Sequence, residues 1–220
     1  MLKTYLASFF IILSTLSLSL GAQEISASKA LQQRLTHLNT FQSAFVQNVS
    51  SETGELLQQA SGVLAIAKPT YLDWQVTTPD ETRLLSKDGL VYLIDPFLEQ
   101  VSIYDLSKMI EHNPLLLLLT DDASQWGNFT VVQQVQKEQM LFEVSAKAPG
   151  ALIQTLTLTF ANNVLMGMSF VDAQGQVSRF VFSDAKMNIV LPEDTFTYTI
   201  PEYFTIDDQR VVAVPAVKTP

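Results

Sequence analysis

The stretch that organises this chain reads Gly62-Val-Leu-Ala-Ile-Ala-Lys-Pro-Thr-Tyr-Leu-Asp-Trp74, and it continues to Gln100 through Thr78-Pro79-Asp80, Asp88-Gly89 and Asp95-Pro96. Apolar residues alternate with polar or small ones along it, which is the pattern of half-buried strands. The Asp88-Gly89 pair suits a two-residue hairpin turn, because both residues tolerate positive φ. The stretch therefore predicts at least three strands joined by tight turns, each with one apolar face.

The same alternation extends in both directions along the chain. Upstream, Phe41, Phe45 and Val49 open a strand that ends before the turn Glu52-Thr-Gly54. After Phe129 the chain is predicted to be β to its end, with turns at Asn162-Asn163 and Gln174-Gly175. The last predicted strands carry the apolar sets Leu156, Leu158, Phe160; Val164, Met166, Met168, Phe170; Phe180, Phe182; and Phe196, Tyr198, Ile200. The total is about ten or eleven strands.

Helical patterns are few. Ser26 to Leu38 is predicted as an amphipathic helix, with Ser26 or Ser28 as its cap and an apolar stripe at helical spacing. A short helix is expected near Ser107–Ile110, and Asn113-Pro114 suits the start of another that contains Leu115–Leu119. Five consecutive leucines point all round a helix axis, so this segment is expected to be buried on every side or to face something apolar.

A large antiparallel sheet with one apolar face must curl on itself or gain a second layer. The predicted helices are too few for a full second layer, so the fold expected is mainly β, a strongly curved or incompletely closed barrel plugged by helices. The residue pattern is compatible with two kinds of interior: an ordinary packed core, or a hollow that holds an acyl chain.

The first residues have the layout of a secretory signal peptide. Met1-Leu-Lys3 is positive, no charge occurs from Tyr5 to Leu20, and small residues allow cleavage after Gly21 or Ala22. The alternative is an uncleaved membrane anchor, but the uncharged run is shorter than the roughly 20 residues that a span needs. We therefore expect a leader at residues 1–22 and a single domain at 23–220, exported to an oxidising compartment such as a periplasm.

Composition excludes several functions. The chain has no cysteine, so no disulfide framework or thiol-linked lipid anchor is possible. Its net charge is −9 and becomes −10 once Lys3 is removed with the leader, so a nucleic-acid partner is not expected. The two histidines, His37 and His112, form no metal-binding pair, and no nucleophile with a base is recognisable. An enzyme is therefore not expected.

Several motifs, taken in order, resemble the periplasmic outer-membrane lipoprotein carrier family, LolA. They are Thr40-Phe41, Phe45-x-Gln47, Gly62-x-Leu64, Lys68-Pro69, Trp74, Pro79, Asp88-Gly89, Asp95-Pro96-Phe97-Leu98-Glu99-Gln100, Asn113-Pro114, Trp126 and Asp207-Asp208-Gln209-Arg210. The resemblance covers nearly all of the mature chain.

The resemblance implies an unclosed antiparallel barrel of about eleven strands with short helices as a lid over a hollow interior. It also implies a monomeric periplasmic chaperone without a cofactor. Such a protein takes acylated lipoproteins from an inner-membrane ABC-type lipoprotein-releasing complex to an outer-membrane lipoprotein receptor. Two alternatives remain at this point: a periplasmic lipid-sensing regulatory or binding module of related fold, and a lipid-modifying enzyme.

Residues expected to bind lipid are the apolar positions of the inner strand faces and the leucine segment of the lid. They are Leu64, Ile66, Leu72, Trp74, Val76, Leu115, Leu116, Leu117, Leu118, Leu119, Leu156, Leu158, Phe160, Met166, Met168, Phe180 and Phe182. The family carries an arginine before the proline that holds the lid, and here Lys68 stands there as the expected lid latch. Leu72 replaces a frequent phenylalanine of the family.

Overall fold

The computed structural model describes residues 19–112, 116, 118–119, 124–147, 149 and 153–210. Most of the predicted leader, the Asn113-Pro114 helix start, Leu115, Leu117 and the tail Val211–Pro220 lie outside these residues. In the part of the chain that is described, no helix is both long and apolar enough to cross a membrane.

The described residues contain twelve strands that form one sheet. They are β1 Thr40–Ser50, β2 Leu56–Ala67, β3 Tyr71–Thr78, β4 Thr82–Lys87, β5 Leu90–Asp95, β6 Gln100–Asp105, β7 Phe129–Gln136, β8 Gln139–Ala146, β9 Ile153–Ala161, β10 Val164–Asp172, β11 Val177–Met187 and β12 Thr205–Asp208. The first six have almost the bounds that the sequence predicts, because Gly, Pro and Asp residues mark their ends.

The strand order across the sheet is β12-β6-β5-β4-β3-β2-β1-β11-β10-β9-β8-β7. Every pairing is antiparallel except that of β12 with β6. The two outer strands, β7 and β12, do not pair with each other, so the barrel is unclosed. This confirms the predicted fold class, with twelve strands rather than about eleven.

Two hairpin turns form as their sequences predict. Asp88 and Gly89 adopt φ of 52° and 80° between β4 and β5, and Lys87 pairs directly with Leu90 across the turn. The Asn162-Asn163 turn between β9 and β10 also has two positive φ values, 49° and 65°. Such turns match the twist of the strands they join, so they fix the strand register locally.

The sheet curls around one large apolar core. Side chains from both halves of the sheet, such as Leu64 of β2 and Phe142 of β8, belong to a single cluster of buried residues. Leu31 and Leu35 of the first helix belong to it too. The helix therefore lies on the concave face, where it supplies part of the second layer that the sheet needs.

The first helix, α1, spans Ser19–Thr36, whereas the sequence predicts Ser26–Leu38. The predicted caps Ser26 and Ser28 lie inside the helix, and Ser28 accepts a hydrogen bond from the Gln32 side chain at 3.0 Å. The predicted apolar stripe is correct, since it is buried at Ala27, Leu31, Leu35 and Leu38. A small polar residue is compatible with a helix interior when its hydroxyl bonds within the helix, which sequence alone does not reveal.

The remaining described helical segments are short. The second helix, α2, spans Leu106–His112 and includes the predicted Ser107–Ile110. A single 3₁₀ turn spans Gln125–Asn128 and buries Trp126.

The segment from Val190 to Phe204 contradicts the sequence prediction of a strand at Phe196–Ile200. It makes no sheet pairing, yet Phe196, Tyr198 and Ile200 pack on the convex face of β4–β6 against a second apolar cluster. Here the alternating apolar side chains are buried because the segment packs on the face of the sheet. The segment does not pair with a strand of that sheet. The segment Val190–Phe204 is called the strap below.

An ion pair under the strap helps to fix it. Arg83 Nε donates to Asp73 Oδ1 at 2.5 Å, and its Nη2 donates to Asp73 Oδ2 at 2.9 Å and to the Thr195 carbonyl at 3.2 Å. The Arg83 guanidinium also lies 5.6 Å from the centre of the Tyr198 ring. Both charged side chains are largely buried, so removing either one would leave a buried charge without its partner.

Both edges of the sheet are protected against pairing with another chain. α1 packs against β7, and β12 is only four residues long and acidic. Hydrogen bonds from Arg210 lower the pKa of Asp208 to about 2, so this carboxylate stays ionised at neutral pH. Short, charged edges discourage further strand addition.

Candidate functional site

A cavity of about 480 Å³ opens inside the curled sheet, at the end of the strands where β3 leads into β4. One wall comes from β3–β6 and the opposite wall from β9 and β10. These walls are separated by three strands in the sheet, so the cavity exists because the sheet curls. Its lining residues are Trp74, Val76, Thr82, Arg83, Leu84, Leu93, Ile94, Asp95, Leu98, Gln100, Ser102, Ile153 and Phe170.

Interlocked aromatic rings form the floor of the cavity. Trp74 lies 4.8 Å from Phe180 in an edge-to-face arrangement, and both rings contact Phe45 at 5.7 and 5.6 Å. Phe170 joins the same group at 5.6 Å from Phe180. Edge-to-face pairs stabilise one another beyond simple burial, so this floor is a rigid apolar surface.

The mouth of the cavity combines apolar and polar groups. Leu93 and Leu98 line it while remaining partly exposed, and Phe97 is exposed on the same turn. The backbone N–H of Leu98 donates a hydrogen bond to Asp95 Oδ1 at 2.9 Å, and this bond fixes the conformation of the turn. Gln100 donates to Ser102 at 3.0 Å on the rim. An amphipathic ligand could therefore place its apolar part inside and its polar part at this rim.

Most of the predicted lipid-binding residues lie together on the concave face. The described ones that belong to, or pack against, its single apolar cluster are Leu64, Ile66, Leu72, Trp74, Val76, Leu116, Leu118, Leu119, Leu156, Leu158, Phe160, Met168, Phe180 and Phe182. Only Trp74 and Val76 among them line the open cavity directly. The others belong to the same apolar cluster as Leu31 and Leu35 of α1.

Met166 contradicts its predicted place on the inner face. Its side chain is 39% exposed, whereas that of Met168 is 2% exposed. The strand pairing shifts between Leu165 and Gly167, and this bulge turns Leu165 inward in place of Met166. A bulge adds one residue to one strand, so it reverses the alternation beyond it.

The predicted lid is partly described. Leu116, Leu118 and Leu119, which the resemblance places in the lid, are buried in the concave cluster, while Leu115 and Leu117 lie outside the described residues. The lid leucines and α1 occupy much of the concave face. The open cavity is the part that they leave uncovered.

Lys68 contacts α1 from the end of β2. Its ammonium Nζ donates to the Leu35 carbonyl at 2.6 Å, in the last turn of the helix. The Leu35 carbonyl also accepts the Leu38 backbone N–H at 3.1 Å. Carbonyls in the last turn of a helix carry partial negative charge, so a cation is stabilised there. The contact joins the turn after β2 to the end of α1, and the role of Lys68 as a lid latch stays a prediction.

The sequence prediction missed several residues of the concave face. Leu84 lines the cavity, and Val91, Phe142 and Val144 belong to the apolar cluster. Only Val144 stands between two polar residues, whereas Leu84, Val91 and Phe142 each have an apolar neighbour. The period-2 pattern could therefore have identified Val144, but alternation alone does not assign the other three to a face.

Side chains that bind metal ions do not cluster in the described residues. No group of three or more His, Asp or Glu side chains is placed to hold a metal ion in the part of the chain that is described. His37 follows the end of α1, where its backbone carbonyl accepts a hydrogen bond from Asn188. The arrangement is suited to sheltering an apolar ligand by contact alone.

Comparison with known proteins is consistent with this geometry. The family model described as outer membrane lipoprotein carrier protein LolA matches residues 36–199. An outer-membrane lipoprotein carrier protein of Pseudoalteromonas translucida is 36% identical over 205 residues, which cover 90% of this chain and 97% of that protein. One from Shewanella amazonensis is 32% identical over 184 residues, covering 83% and 89%. The chain thus spans nearly the full length of these carriers.

Among solved structures, an uncharacterized conserved protein from Thermus thermophilus has a TM-score of 0.51 at 12% identity. The match covers 84% of this chain and 99% of that one. At this level of identity the likeness concerns the fold alone.

Proposed function

Because the chain belongs to the outer membrane lipoprotein carrier family LolA and is therefore a lipoprotein chaperone, we propose that it shelters the acyl chains of its cargo inside the curled sheet. It would receive this cargo in the periplasm from an inner-membrane ABC-type releasing complex and pass it to an outer-membrane receptor. No catalysis is part of this cycle.

The observation that carries the proposal is the apolar cavity of about 480 Å³ that opens between β3–β6 and β9–β10. Each CH₂ group transferred from water to an apolar site gains about 0.8 kcal/mol, so an acyl chain has a strong tendency to enter such a space. Leu84, Leu93 and Phe170 offer the apolar surface. The polar rim at Gln100 and Ser102 leaves room for the polar part of the cargo.

Several acyl chains require more room than the open cavity provides, since its volume lies at the lower end of the range for one drug-sized ligand. The rest of the concave face is covered by Leu31 and Leu35 of α1 and by Leu116, Leu118 and Leu119. We infer that these elements move away as cargo enters. The free energy of that opening lowers the apparent affinity, and this makes release to a receptor possible.

A binding experiment with a matched control tests the proposal. Leu93→Glu places a carboxylate in the cavity, whereas Val63→Glu places one on the convex face. Leu93 is 38% exposed and Val63 is 43% exposed, so the two variants differ mainly in the face that they alter. Binding of a synthetic triacylated lipopeptide is measured by the change in tryptophan fluorescence, since Trp74 lines the cavity.

We expect Leu93→Glu to weaken binding at least tenfold, because a charge in an apolar site loses hydration without gaining a partner. Val63→Glu should bind as the unaltered protein does. Equal binding by both variants would contradict the position of the site, and absence of lipopeptide binding by the unaltered protein would contradict the function.

A further inference from the structure

Polar contacts attach the C-terminal end of α1 to the sheet at more than one wall. One contact is the hydrogen bond from Lys68, which follows β2, to the Leu35 carbonyl. Another involves Asn188, which follows β11: its Nδ2 donates to the His37 carbonyl, and its Oδ1 accepts from the Asn39 backbone N–H, both at 2.9 Å. This end of the helix is thus fixed beside β1, β2 and β11.

A further contact reaches the opposite wall. Arg34 Nη1 donates to Asn163 Oδ1 in the turn between β9 and β10. The same guanidinium lies 5.8 Å from the ring centres of both Phe142 and Phe160. These distances are within the range of cation–π attraction. Arg34 therefore joins α1 to a wall that lies three strands away from Lys68 in the sheet.

The two rings beneath Arg34 belong to the concave face. Phe142 and Phe160 are almost fully buried and stack edge to face at 5.9 Å. Phe160 lies in the cluster that α1 and the lid leucines cover. Anything that enters this part of the interior must displace the rings, and their displacement changes the surface on which the guanidinium rests.

The space around Arg34 is open and is lined by both polar and apolar side chains. A cavity of about 590 Å³ lies between α1 and the adjoining ends of β7–β11. Gln33, His37, Asn162 and Asn188 are among its lining residues. On this side a polar bridge across a cavity therefore holds α1 in addition to the apolar contacts of Leu31 and Leu35. Such a bridge can exchange its partners for water, which makes it easier to open than a packed apolar contact.

We propose that Arg34 is a second lid latch, which acts on the β8–β10 wall and is loosened by cargo that displaces Phe142 and Phe160. The proposal rests on the proposed function, because it assumes that acyl chains enter the concave face. Arg34 is a positioning residue: it holds α1 closed over the empty interior and releases it when the rings move.

The first test needs no cargo. Amide hydrogen exchange of Leu31–Thr36 in the mature protein measures how often this part of α1 opens. Arg34→Gln should raise the exchange rate about tenfold, since it removes the hydrogen bond of a charged group and the contact with both rings. Asn163→Gly should raise it less, because the ring contacts remain, and the double variant should match Arg34→Gln. Asn162→Gly is the control, because it changes the neighbouring turn residue, also at positive φ, and leaves the bridge intact.

Equal exchange in Arg34→Gln and the unaltered protein would overturn the latch. Arg34→Lys guards against loss of folding as an explanation, because it keeps the charge but not the planar donor group. It should give an intermediate rate. If the exchange of the core strand β1 rose equally in Arg34→Gln, the effect would be global destabilisation and the latch would also be rejected.

The second test adds a synthetic triacylated lipopeptide. Saturating lipopeptide should raise the exchange of α1 in the unaltered protein and add little in Arg34→Gln. The same relative increase in both proteins would overturn the coupling to cargo. If the unaltered protein bound no lipopeptide, the proposed function would fail, while the comparison without cargo would still decide whether Arg34 is a latch.

Discussion

At the scale of single residues, Gly62 is fixed by the close approach of two strands. A Cβ atom at this position would lie 1.9 Å from the Gln75 carbonyl oxygen and 2.8 Å from Cζ of Phe45. A backbone carbonyl cannot move aside without breaking the β2–β3 pairing. The glycine is therefore required by the sheet and not by a turn.

We expect Gly62→Ala to lower the free energy of unfolding by about 3 kcal/mol, as overpacking against backbone does. Chemical denaturation measures the change. Gly127→Ala is the matched control, because no atom lies within 4 Å of its added Cβ, and it should change stability by less than about 0.5 kcal/mol. Similar effects of the two substitutions would show that the close approach at Gly62 is unimportant.

The role of Lys68 can also be tested by a single substitution. Lys68→Ala removes the donor to the Leu35 carbonyl and so destabilises the closed position of α1. Less free energy is then needed for opening, so cargo should bind about tenfold more tightly and leave more slowly. The measurement is the rate of lipoprotein transfer from donor to acceptor. Lys68→Arg should preserve the latch, and transfer by Lys68→Ala at the unaltered rate would refute it.

At the scale of elements, a bulge in β10 determines which side chains of this strand are buried in the core. Met168→Ala should lower the free energy of unfolding by about 2–5 kcal/mol, because it leaves a space in the core. Met166→Ala, two residues away, should change it by less than about 0.5 kcal/mol, because its side chain faces solvent. Thermal or chemical unfolding of the pair tests the bulge. Equal losses would place both methionines inside.

The buried ion pair of Arg83 and Asp73 helps to hold the strap. Arg83→Gln leaves Asp73 buried without its charged partner and loses the bond to the Thr195 carbonyl, so a loss of about 3 kcal/mol is expected. Adding Asp73→Asn should recover part of this loss, because the unpaired charge is then removed. Denaturation of the two single variants and the double variant measures the coupling. Additive losses would contradict it.

At the scale of the whole molecule, local chemistry explains what the sequence could predict. The Asp88-Gly89 and Asn162-Asn163 turns depend on φ preferences of the residues themselves, so the strand bounds near them were predictable. The outward position of Met166 depends on a bulge that alternation cannot reveal. Within the strap, Phe196–Ile200 has the pattern of a strand but packs on the sheet through its side chains without pairing with a strand.

The residue pattern could not predict whether the interior of the barrel is filled or hollow. Apolar alternation is identical for a filled and a hollow barrel, because it reports which face is buried and not what fills it. The expectation of a hollow interior came from the family resemblance. The structure shows an open cavity of about 480 Å³ beside a concave apolar cluster that includes residues of α1 and the leucines of the predicted lid. Arg34 was also missed, since its partners Phe142, Phe160 and Asn163 meet it only in the folded chain.

The central claim, that this protein carries acylated lipoproteins through water, is tested most directly by extraction from a membrane. The purified mature protein is incubated with inner-membrane vesicles that contain the ABC-type releasing complex and a labelled lipoprotein, with and without ATP. We predict that, with ATP, label appears in the supernatant as a one-to-one complex with the carrier. Label that stays in the vesicles, or that leaves as free lipid without its protein, would contradict the account.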